Sequence, residues 1–264
     1  MWAYLIHFGI LLLTLLPICS LISDAFRVSI CANTTSLINV NYDFLSILIS
    51  FQNFKNIFQF YYLYAIFIST ILGFLTALLL IPFSTVFLYN IKDYKNKSLL
   101  FNLMILPYFI PFLVKTYMWV YISEYYLSTI FSKSVYTLLS TVLFCCYSHM
   151  PLTVLLINDP INQIHPDIFD AALDLGCTKS QMFYKILIPS IKNKLKGIFA
   201  IIFIMVSGEF IFLEIISSGS FPTIGSAISE EVLFCYDTPL ASALTIIMLL
   251  WCCLFLGILY FIVK

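Results

Sequence analysis

Charged side chains are scarce in this chain. Of its 264 residues only 10% are Asp, Glu, Lys or Arg, and Arg27 is the only arginine. A soluble domain carries roughly 25% charged residues, so a chain that is 62% hydrophobic with a mean hydropathy of +1.02 is not a soluble globular protein. The formal net charge is zero, and no basic, aromatic-rich stretch of the sequence indicates binding of nucleic acid.

What the chain has instead is a series of long apolar runs. A helix needs about 20 apolar residues to cross the hydrocarbon core of a bilayer, and backbone groups in lipid must be paired within the segment. We therefore predict an all-α integral membrane protein with six transmembrane helices in a single domain, residues 1–264. The predicted spans cover residues 3–22, 61–89, 99–122, 135–158, 197–217 and 240–263.

The first run could instead be a cleaved signal peptide. No lysine or arginine precedes it, and it is longer than the apolar core of a usual signal peptide. We therefore expect residues 3–22 to be retained as the first span.

The distribution of lysine predicts the orientation, because cytoplasmic loops of membrane proteins carry an excess of Lys and Arg. With both termini in the cytoplasm, the outer segments hold only Arg27, Lys55 and Lys133. The inner segments hold Lys92, Lys95, Lys97, Lys179, Lys185, Lys192, Lys194, Lys196 and Lys264. The polar segment 159–196 is thus predicted to face the cytoplasm.

Motifs that carry chemistry are missing. The eight glycines form no G-x-x-x-x-G-K-[ST] phosphate loop, the eight cysteines include no C-x-x-C pair, and the three histidines are scattered. Cys31 and Cys235 both fall on the predicted outer side, so a disulfide between them stays open. We predict no catalytic, cofactor or metal site on this chain, and an intramembrane enzyme is disfavoured because no cluster of His, Asp or Glu shares one membrane depth.

The polar segment 159–196 carries the signals of a helix-turn-helix. Pro166 suits the first turn of a helix, where its missing N–H costs nothing. Gly176 is a natural left-handed stop for that helix, and Thr178 with Gln181 has the spacing of a capping box that opens a second helix. The pattern predicts a compact hairpin on the water side of the membrane.

The first helix of this hairpin is suited to contact with another protein. Ala171 and Ala172 let a partner approach the backbone closely, and Ile168, Phe169, Leu173 and Leu175 supply apolar area. An ordinary amphipathic loop helix is the alternative. We interpret the hairpin as a docking element.

The hairpin resembles the EAA loop of the membrane subunits of binding-protein-dependent ABC importers. The matching residues are Asp170-Ala171-Ala172, Gly176, and the closing Ile186-Leu187-Ile188-Pro189. Asp170 stands where the family usually has Glu, and Ile188 where it usually has Leu. The resemblance implies the MetI-like permease fold, with this loop as the coupling helix in a cleft of an ATPase subunit. The residues it assigns to ATPase coupling are Asp170, Ala171, Ala172, Asp174, Gly176, Phe183, Ile186 and Pro189.

The same resemblance implies the partners of the chain. These are an ABC ATPase dimer that holds ATP and Mg²⁺, a second permease subunit, and an extracytoplasmic substrate-binding protein, all at the inner membrane of a bacterium. ATP hydrolysis is expected on the ATPase chain, so the present chain is a transport subunit and not an enzyme.

Other segments are similar to the spermidine/putrescine permeases. They run from about residue 50 to the C-terminus and favour the subunit usually called the B-type permease. The segments are Phe51–Phe54, Leu106–Trp119, Tyr147–Pro151, and Gly208-Glu209-Phe210 followed by Glu214 and a loop with Gly225.

Charged residues inside predicted spans mark a candidate substrate pathway. Such a residue costs about 2.5 to 3.5 kcal/mol on insertion scales and needs a partner or water, so Lys115 and Glu209 either pair with each other or serve the substrate. A polyamine would be held by carboxylates and, through cation–π contact, by aromatic faces. The candidate pathway residues are Lys115, Tyr117, Trp119, Tyr121, Glu209 and Glu214.

One limit on this pathway follows from the spacing of its two carboxylates. Glu209 and Glu214 are five positions apart, which places them off a common helical face.

An importer of the same architecture for ferric iron, thiamine or sulfate is an alternative to the polyamine importer, and a non-transporting membrane scaffold is a less favoured one.

Overall fold

The computed structural model describes residues 15, 17–26, 52–92, 94–126, 129, 132–217, 219 and 221–262. Within these ranges every regular element is a helix, which confirms the all-α fold class. Residues 17–25 are helical, and the rest of the predicted span 3–22 lies mostly outside the described residues, as do Arg27 and Cys31.

The helices that follow are numbered here in chain order. They are α1 Gln52–Asn56, α2 Phe60–Ile91, α3 Lys97–Ile105, α4 Phe112–Tyr126, α5 Lys133–Asn162, α6 Pro166–Asp174, α7 Lys179–Met182, α8 Ile188–Ser207, α9 Ile211–Ser217, α10 Ile224–Leu233 and α11 Thr238–Ile262. A 3₁₀ turn, Leu106–Phe109, follows α3, and a π-helix, Phe183–Leu187, joins α7 to α8.

Three predicted spans coincide with single long, apolar helices. The predicted spans 61–89, 135–158 and 240–263 correspond to α2, α5 and α11, each of which is long and apolar enough to cross a membrane. Two further candidate spans are bent pairs of helices, so the described part of the chain holds up to five.

The predicted span 99–122 is wrong as one continuous helix. The segment Lys97–Phe109 and helix α4 meet at an angle of 97°. Ile110 separates them with φ −80° and ψ 128°, an extended conformation that the following Pro111 favours because its ring crowds the preceding residue. The break places Lys115 in the first turn of α4.

The predicted span 197–217 is also broken. Helices α8 and α9 meet at an angle of 46°, and residues 208–210 between them are not helical. Helix α5 ends at Asn162 and α8 begins at Ile188. Both of these positions fall inside the predicted polar segment 159–196, so the neighbouring helices extend into that segment from both ends.

The chain divides into two compact units, each with its own core. The first unit comprises residues 1–68 and 221–264, and the second comprises residues 69–220. In the first, α10 and α1 pack on α11, and Tyr62 Oη donates a hydrogen bond to Glu231 Oε1 at 2.7 Å. The core of this unit comprises Ala25, Ile57, Tyr62, Ile66, Ile224, Ala227, Leu240, Ala243 and Leu244.

Helix α5 is the central helix of the second unit. It packs against α3, the 3₁₀ turn, α4, α8 and α9. Phe144 of α5, Phe203 of α8 and Phe212 of α9 are all 0% exposed, and the rings of Phe144 and Phe212 stack with centroids 4.1 Å apart. Both the hairpin and the charged residues of the predicted pathway belong to this unit.

Candidate functional site

Helix α6 ends as the sequence predicts. Gly176 has φ +80°, its N–H donates to the carbonyl of Leu173 at 2.8 Å, and the N–H of Cys177 donates to the carbonyl of Ala172 at 2.9 Å. These two bonds form a complete Schellman motif, which satisfies the last carbonyls of the helix. The turn after α6 therefore has a defined shape.

The second helix of the hairpin opens with the predicted capping box. Thr178 Oγ1 accepts from the N–H of Gln181 at 3.3 Å, and Gln181 Oε1 accepts from the N–H of Thr178 at 2.9 Å. The π-helix Phe183–Leu187 then leads into α8 just before Pro189. Since Pro189 lacks an N–H, a change in hydrogen-bonding register at this point is the expected consequence.

The outer surface of α6 carries apolar side chains that nothing in the described chain covers. Ile168 is 48% exposed, Leu173 51% and Leu175 85%. Among the predicted coupling residues, those at the surface are Asp170, Ala171, Asp174, Gly176 and Pro189, while Ile186 is half-buried and Ala172 and Phe183 are buried. Ile168, Leu173 and Leu175 thus form an apolar group on and just after α6 that is open to solvent in the described structure.

Three contacts hold the hairpin against the end of α2. Tyr89 Oη donates to the carbonyl of Lys179 at 3.0 Å, the rings of Tyr89 and Phe183 lie 5.3 Å apart, and Lys92 Nζ lies 4.9 Å from the centre of the Phe169 ring. Phe183 thus faces α2 and anchors the hairpin, whereas the surface of α6 remains accessible.

A polar cluster lies where the two helix breaks approach α5. Lys115 Nζ donates to Ser148 Oγ at 3.2 Å, and His149 Nε2 lies 3.8 Å from Glu209 Oε2. Lys115 and Glu209 form no direct ion pair, although their charges interact. The predicted pairing of these two residues is therefore indirect, and Ser148 and His149 of α5 lie between α4 and the α8–α9 break.

The hydrogen bond of His149 to the backbone determines which of its ring nitrogens carries a proton. His149 Nδ1 lies 3.0 Å from the carbonyl oxygen of Cys145, and a carbonyl only accepts, so Nδ1 must carry a proton. In the neutral ring Nε2 then presents a lone pair to Glu209. The contact at 3.8 Å becomes attractive when one proton is added to either His149 or Glu209.

Aromatic rings adjoin this polar cluster. The rings of Trp119 and Tyr147 stack with centroids 5.7 Å apart and an interplanar angle of 13°, and Trp119 Nε1 donates to the carbonyl of Ser140 at 3.2 Å. Tyr117 and Tyr121 are 62% and 73% exposed and lie on the opposite face of α4 from Trp119. The structure thus brings Lys115, Trp119 and Glu209 against α5 and leaves these two tyrosines apart.

Glu214 is also separate from the cluster. It lies on α9 and is exposed, whereas Glu209 lies in the break before α9 and its side chain is 19% exposed. Within the described residues, no group of three or more His, Cys, Asp and Glu could hold a metal ion.

Ser148 and His149 were not predicted as site residues. They belong to the segment Tyr147–Pro151, whose similarity to the permeases was visible in the sequence. Their contacts with Lys115 and Glu209 are tertiary, so no spacing along the chain could reveal them.

Comparison with known proteins assigns the family. Residues 94–264, about two thirds of the chain, match the family described as the inner membrane component of binding-protein-dependent transport systems. The chain belongs to this family. Both the hairpin and the polar cluster of this transport component fall within the matched region.

A short segment of the chain is similar to a curated relative. Over 75 residues the chain is 29% identical to the probable ABC transporter permease protein y4oR of Sinorhizobium fredii (strain NBRC 101917 / NGR234). These 75 residues are 28% of the present chain and 27% of that relative. The match thus spans about a quarter of the relative's length.

The fold is similar to that of solved transporters at low sequence identity. A bacterial ABC transporter involved in the import of the acidic polysaccharide alginate has a TM-score of 0.73 at 17% identity, with 97% of this chain and 92% of that chain covered. The MetNI methionine ABC transporter has a TM-score of 0.55 at 15% identity, with 73% and 88% covered. These likenesses establish the permease fold.

Proposed function

We propose that this protein is the permease subunit of an ATP-driven ABC importer. The observation that carries the proposal is the exposed apolar surface of α6. This helix ends at Gly176, which has a left-handed backbone conformation, and Tyr89 anchors the hairpin to α2. Its partners are an ATPase dimer that holds ATP and Mg²⁺, a second permease subunit and an extracytoplasmic binding protein. Both termini and the hairpin lie in the cytoplasm, as the lysine distribution indicates.

The helices suggest how a movement at the hairpin reaches the pathway. From Lys179 to Ser207 the chain is helical without interruption, through α7, the π-helix and α8. The end of this rod is the break that holds Glu209. Closure of an ATPase dimer on α6 would favour one of two packings of the unit, and the rod would carry the change to the polar cluster.

The docking of α6 is tested by photocrosslinking. A benzoylphenylalanine at Leu175, which is 85% exposed, is expected to crosslink to the ATPase subunit in membranes that contain the complete transporter. The matched control is the same probe at Tyr117, which is 62% exposed but lies on α4. Crosslinks to the ATPase from Tyr117 alone, or from neither site, would contradict the proposed docking.

We propose that the transported solute is a polyamine such as spermidine or putrescine. The similarity of Leu106–Trp119 and Gly208–Phe210 to polyamine permeases supports it, and so does the chemistry of the cluster. Glu209 offers a carboxylate in a helix break, and non-helical backbone at membrane depth occurs where it lines a cavity or is buried in protein. The stacked rings of Trp119 and Tyr147 offer aromatic surface near it.

Replacing the carboxylate of Glu209 tests this assignment. In vesicles that contain the four components, we expect Glu209→Gln to reduce uptake of labelled putrescine at least about tenfold, because a partly desolvated charge–charge contact contributes more than 1.4 kcal/mol. Glu214→Gln, the matched change at an exposed carboxylate, should leave uptake within about twofold. Equal effects of the two substitutions would remove Glu209 from the pathway.

One observation favours an anionic solute as the second candidate. The ammonium of Lys115, which donates to Ser148 Oγ at 3.2 Å, places a positive charge in the cluster that would suit sulfate better than an amine. Competition separates the two: unlabelled spermidine should inhibit uptake of labelled putrescine, and sulfate, thiamine and ferric iron should not. Inhibition by sulfate alone would identify the second candidate.

A further inference from the structure

A cavity of about 590 Å³ lies against α6. One face of α6, carrying Pro166, Phe169, Asp170 and Leu173, forms one wall. The ends of α2 and α5 and the beginnings of α3 and α7 form the others. All of these elements belong to the second unit. The cavity shares Asp170 and Leu173 with the surface proposed to meet the ATPase, whereas the exposed Ile168 and Leu175 do not line it.

The lining of this cavity is basic. Lys92, Lys97 and Lys179 line it, and the acidic residue among the lining residues is Asp170. In a chain with no net charge, an excess of two positive charges around one cavity is a strong local concentration. Asn158, Asn162 and Ser98 add amide and hydroxyl donors, the groups that bind phosphate oxygens together with lysine.

The contacts of two of these lysines fix their places in the walls. The backbone of Lys179 is held by the hydrogen bond from Tyr89 Oη at 3.0 Å, and the ammonium of Lys92 lies over the Phe169 ring at 4.9 Å. Lys97 begins α3 and is exposed. The positive groups thus come from three different elements and surround one space.

The cavity lies beside the ends of two helices that could cross a membrane. Helices α2 and α5 are both long enough to cross a membrane, and the cavity is bordered by their last turns, at Ile91 and Asn162. Basic pockets between transmembrane helices on the cytoplasmic side bind the headgroups of anionic lipids. Apolar residues such as Leu88 and Phe101 in the same lining would contact the glycerol and the first acyl carbons.

We propose that this cavity binds the phosphate of an anionic phospholipid headgroup. The shared chemistry is a phosphate ester held by lysine ammonium groups, and a free phosphate is the other source of that chemistry. A lipid bound there would fill the space between α6 and the ends of α2 and α5. The binding itself does not require the proposed transport activity.

Binding is measured on the purified full chain in detergent by native mass spectrometry. Phosphatidylglycerol should be retained, and phosphatidylcholine should not. The double substitution Lys97→Gln with Lys179→Gln should weaken phosphatidylglycerol binding about thirtyfold, from the usual attraction of two lysines to anionic lipid. Lys192→Gln with Lys194→Gln is the matched control, because these exposed lysines of α8 do not line the cavity, and it should bind as the unmodified chain does.

A second variant separates loss of the binding site from loss of the fold. Ser98→Asp places a negative charge at the cavity in the first turn of α3, where a carboxylate stabilises the helix, and it should also abolish retention of phosphatidylglycerol. Equal retention by the control and by both cavity variants would overturn the site. Displacement of phosphatidylglycerol by millimolar inorganic phosphate would overturn the lipid as the source of the phosphate.

Discussion

Substitution of Gly176 by valine is expected to abolish solute uptake while the protein still inserts into the membrane. Gly176 has φ +80°, a conformation that costs an L-amino acid about 1 to 2 kcal/mol and costs a β-branched one more. A side chain there would meet no atom within 4 Å, so the strain would come from the backbone alone. Loss of the Schellman turn would change the angle at which α6 leaves the hairpin.

The expected loss of uptake follows from the backbone strain at Gly176. A strain of about 2 kcal/mol shifts the population of the native turn by about thirtyfold, and the proposed ATPase contacts would depend on that turn. We expect uptake and solute-stimulated ATP hydrolysis to fall together by at least about tenfold. Both are measured in vesicles with the complete transporter, and the amount of inserted chain is measured by immunoblot.

Asparagine at the same position is the informative control. Asn is enriched in the left-handed region because its short polar side chain bonds locally, so Gly176→Asn should retain uptake within about threefold. Alanine should fall between asparagine and valine. Normal uptake by Gly176→Val would remove the coupling assignment of the hairpin, and equal loss by valine and asparagine would show that the turn conformation is not the cause.

The hairpin could be read from the sequence because its signals are local. Pro166, Gly176 and the pair Thr178 and Gln181 each determine the backbone within one turn of themselves, and the structure confirms the stop at Gly176 and the capping box. The spans of α2, α5 and α11 were visible for a similar reason, since hydropathy summed over 18 or more residues does not depend on tertiary contacts.

The two broken spans were not predicted, although one of their causes was in the sequence. Hydropathy summed over 99–122 stays apolar across Ile110 and Pro111, and only the restriction that proline places on the preceding residue indicates that the helix must end there. At Gly208 no such rule applies, because glycine is compatible with a continued helix.

The polar cluster depends on both breaks and on α5, which is why it could be predicted only in part. Lys115 and Glu209 were chosen because charge inside a span is costly. Ser148 carries no such signal, since serine is common in transmembrane helices. His149 lies inside a predicted span, where ionisable residues are rare, so the sequence did mark it although its partner was not visible. Their role follows only from the packing of α4 and the α8–α9 break against α5.

Helices α2 and α8 approach closely at Gly73, and substitution of Gly73 is expected to destabilise the fold in proportion to the size of the new side chain. A Cβ at this position would clash with Ser207 Oγ and lie 2.9 Å from the carbonyl oxygen of Phe203. Phe203 and Ser207 are both 0% exposed, and Ser207 Oγ already donates to the Phe203 carbonyl at 2.7 Å. Because a backbone atom cannot rotate away, the two helices would have to separate.

Glycine at a helix interface allows this approach in membranes, where packing between small residues replaces the hydrophobic effect as the driving force. Gly73→Ala should destabilise the protein by about 1 to 3 kcal/mol, the usual cost of overpacking, and Gly73→Leu should leave almost no folded chain. Thermal unfolding in detergent and the fraction that elutes as a single species in size exclusion measure the two effects.

Gly197 provides a control with the opposite expected sign. It lies on α8, ten residues before Ser207, and a Cβ there would meet nothing within 4 Å. Alanine in an open helical position gains about 0.5 to 1 kcal/mol over glycine, so Gly197→Ala should raise the unfolding temperature while Gly73→Ala lowers it. Ser207 is the last residue of α8 before the break that holds Glu209, so separation of α2 from α8 would also displace the polar cluster. An unfolding temperature for Gly73→Ala equal to or above that of the unmodified protein would contradict the packing of α2 against α8 on which the position of this cluster depends.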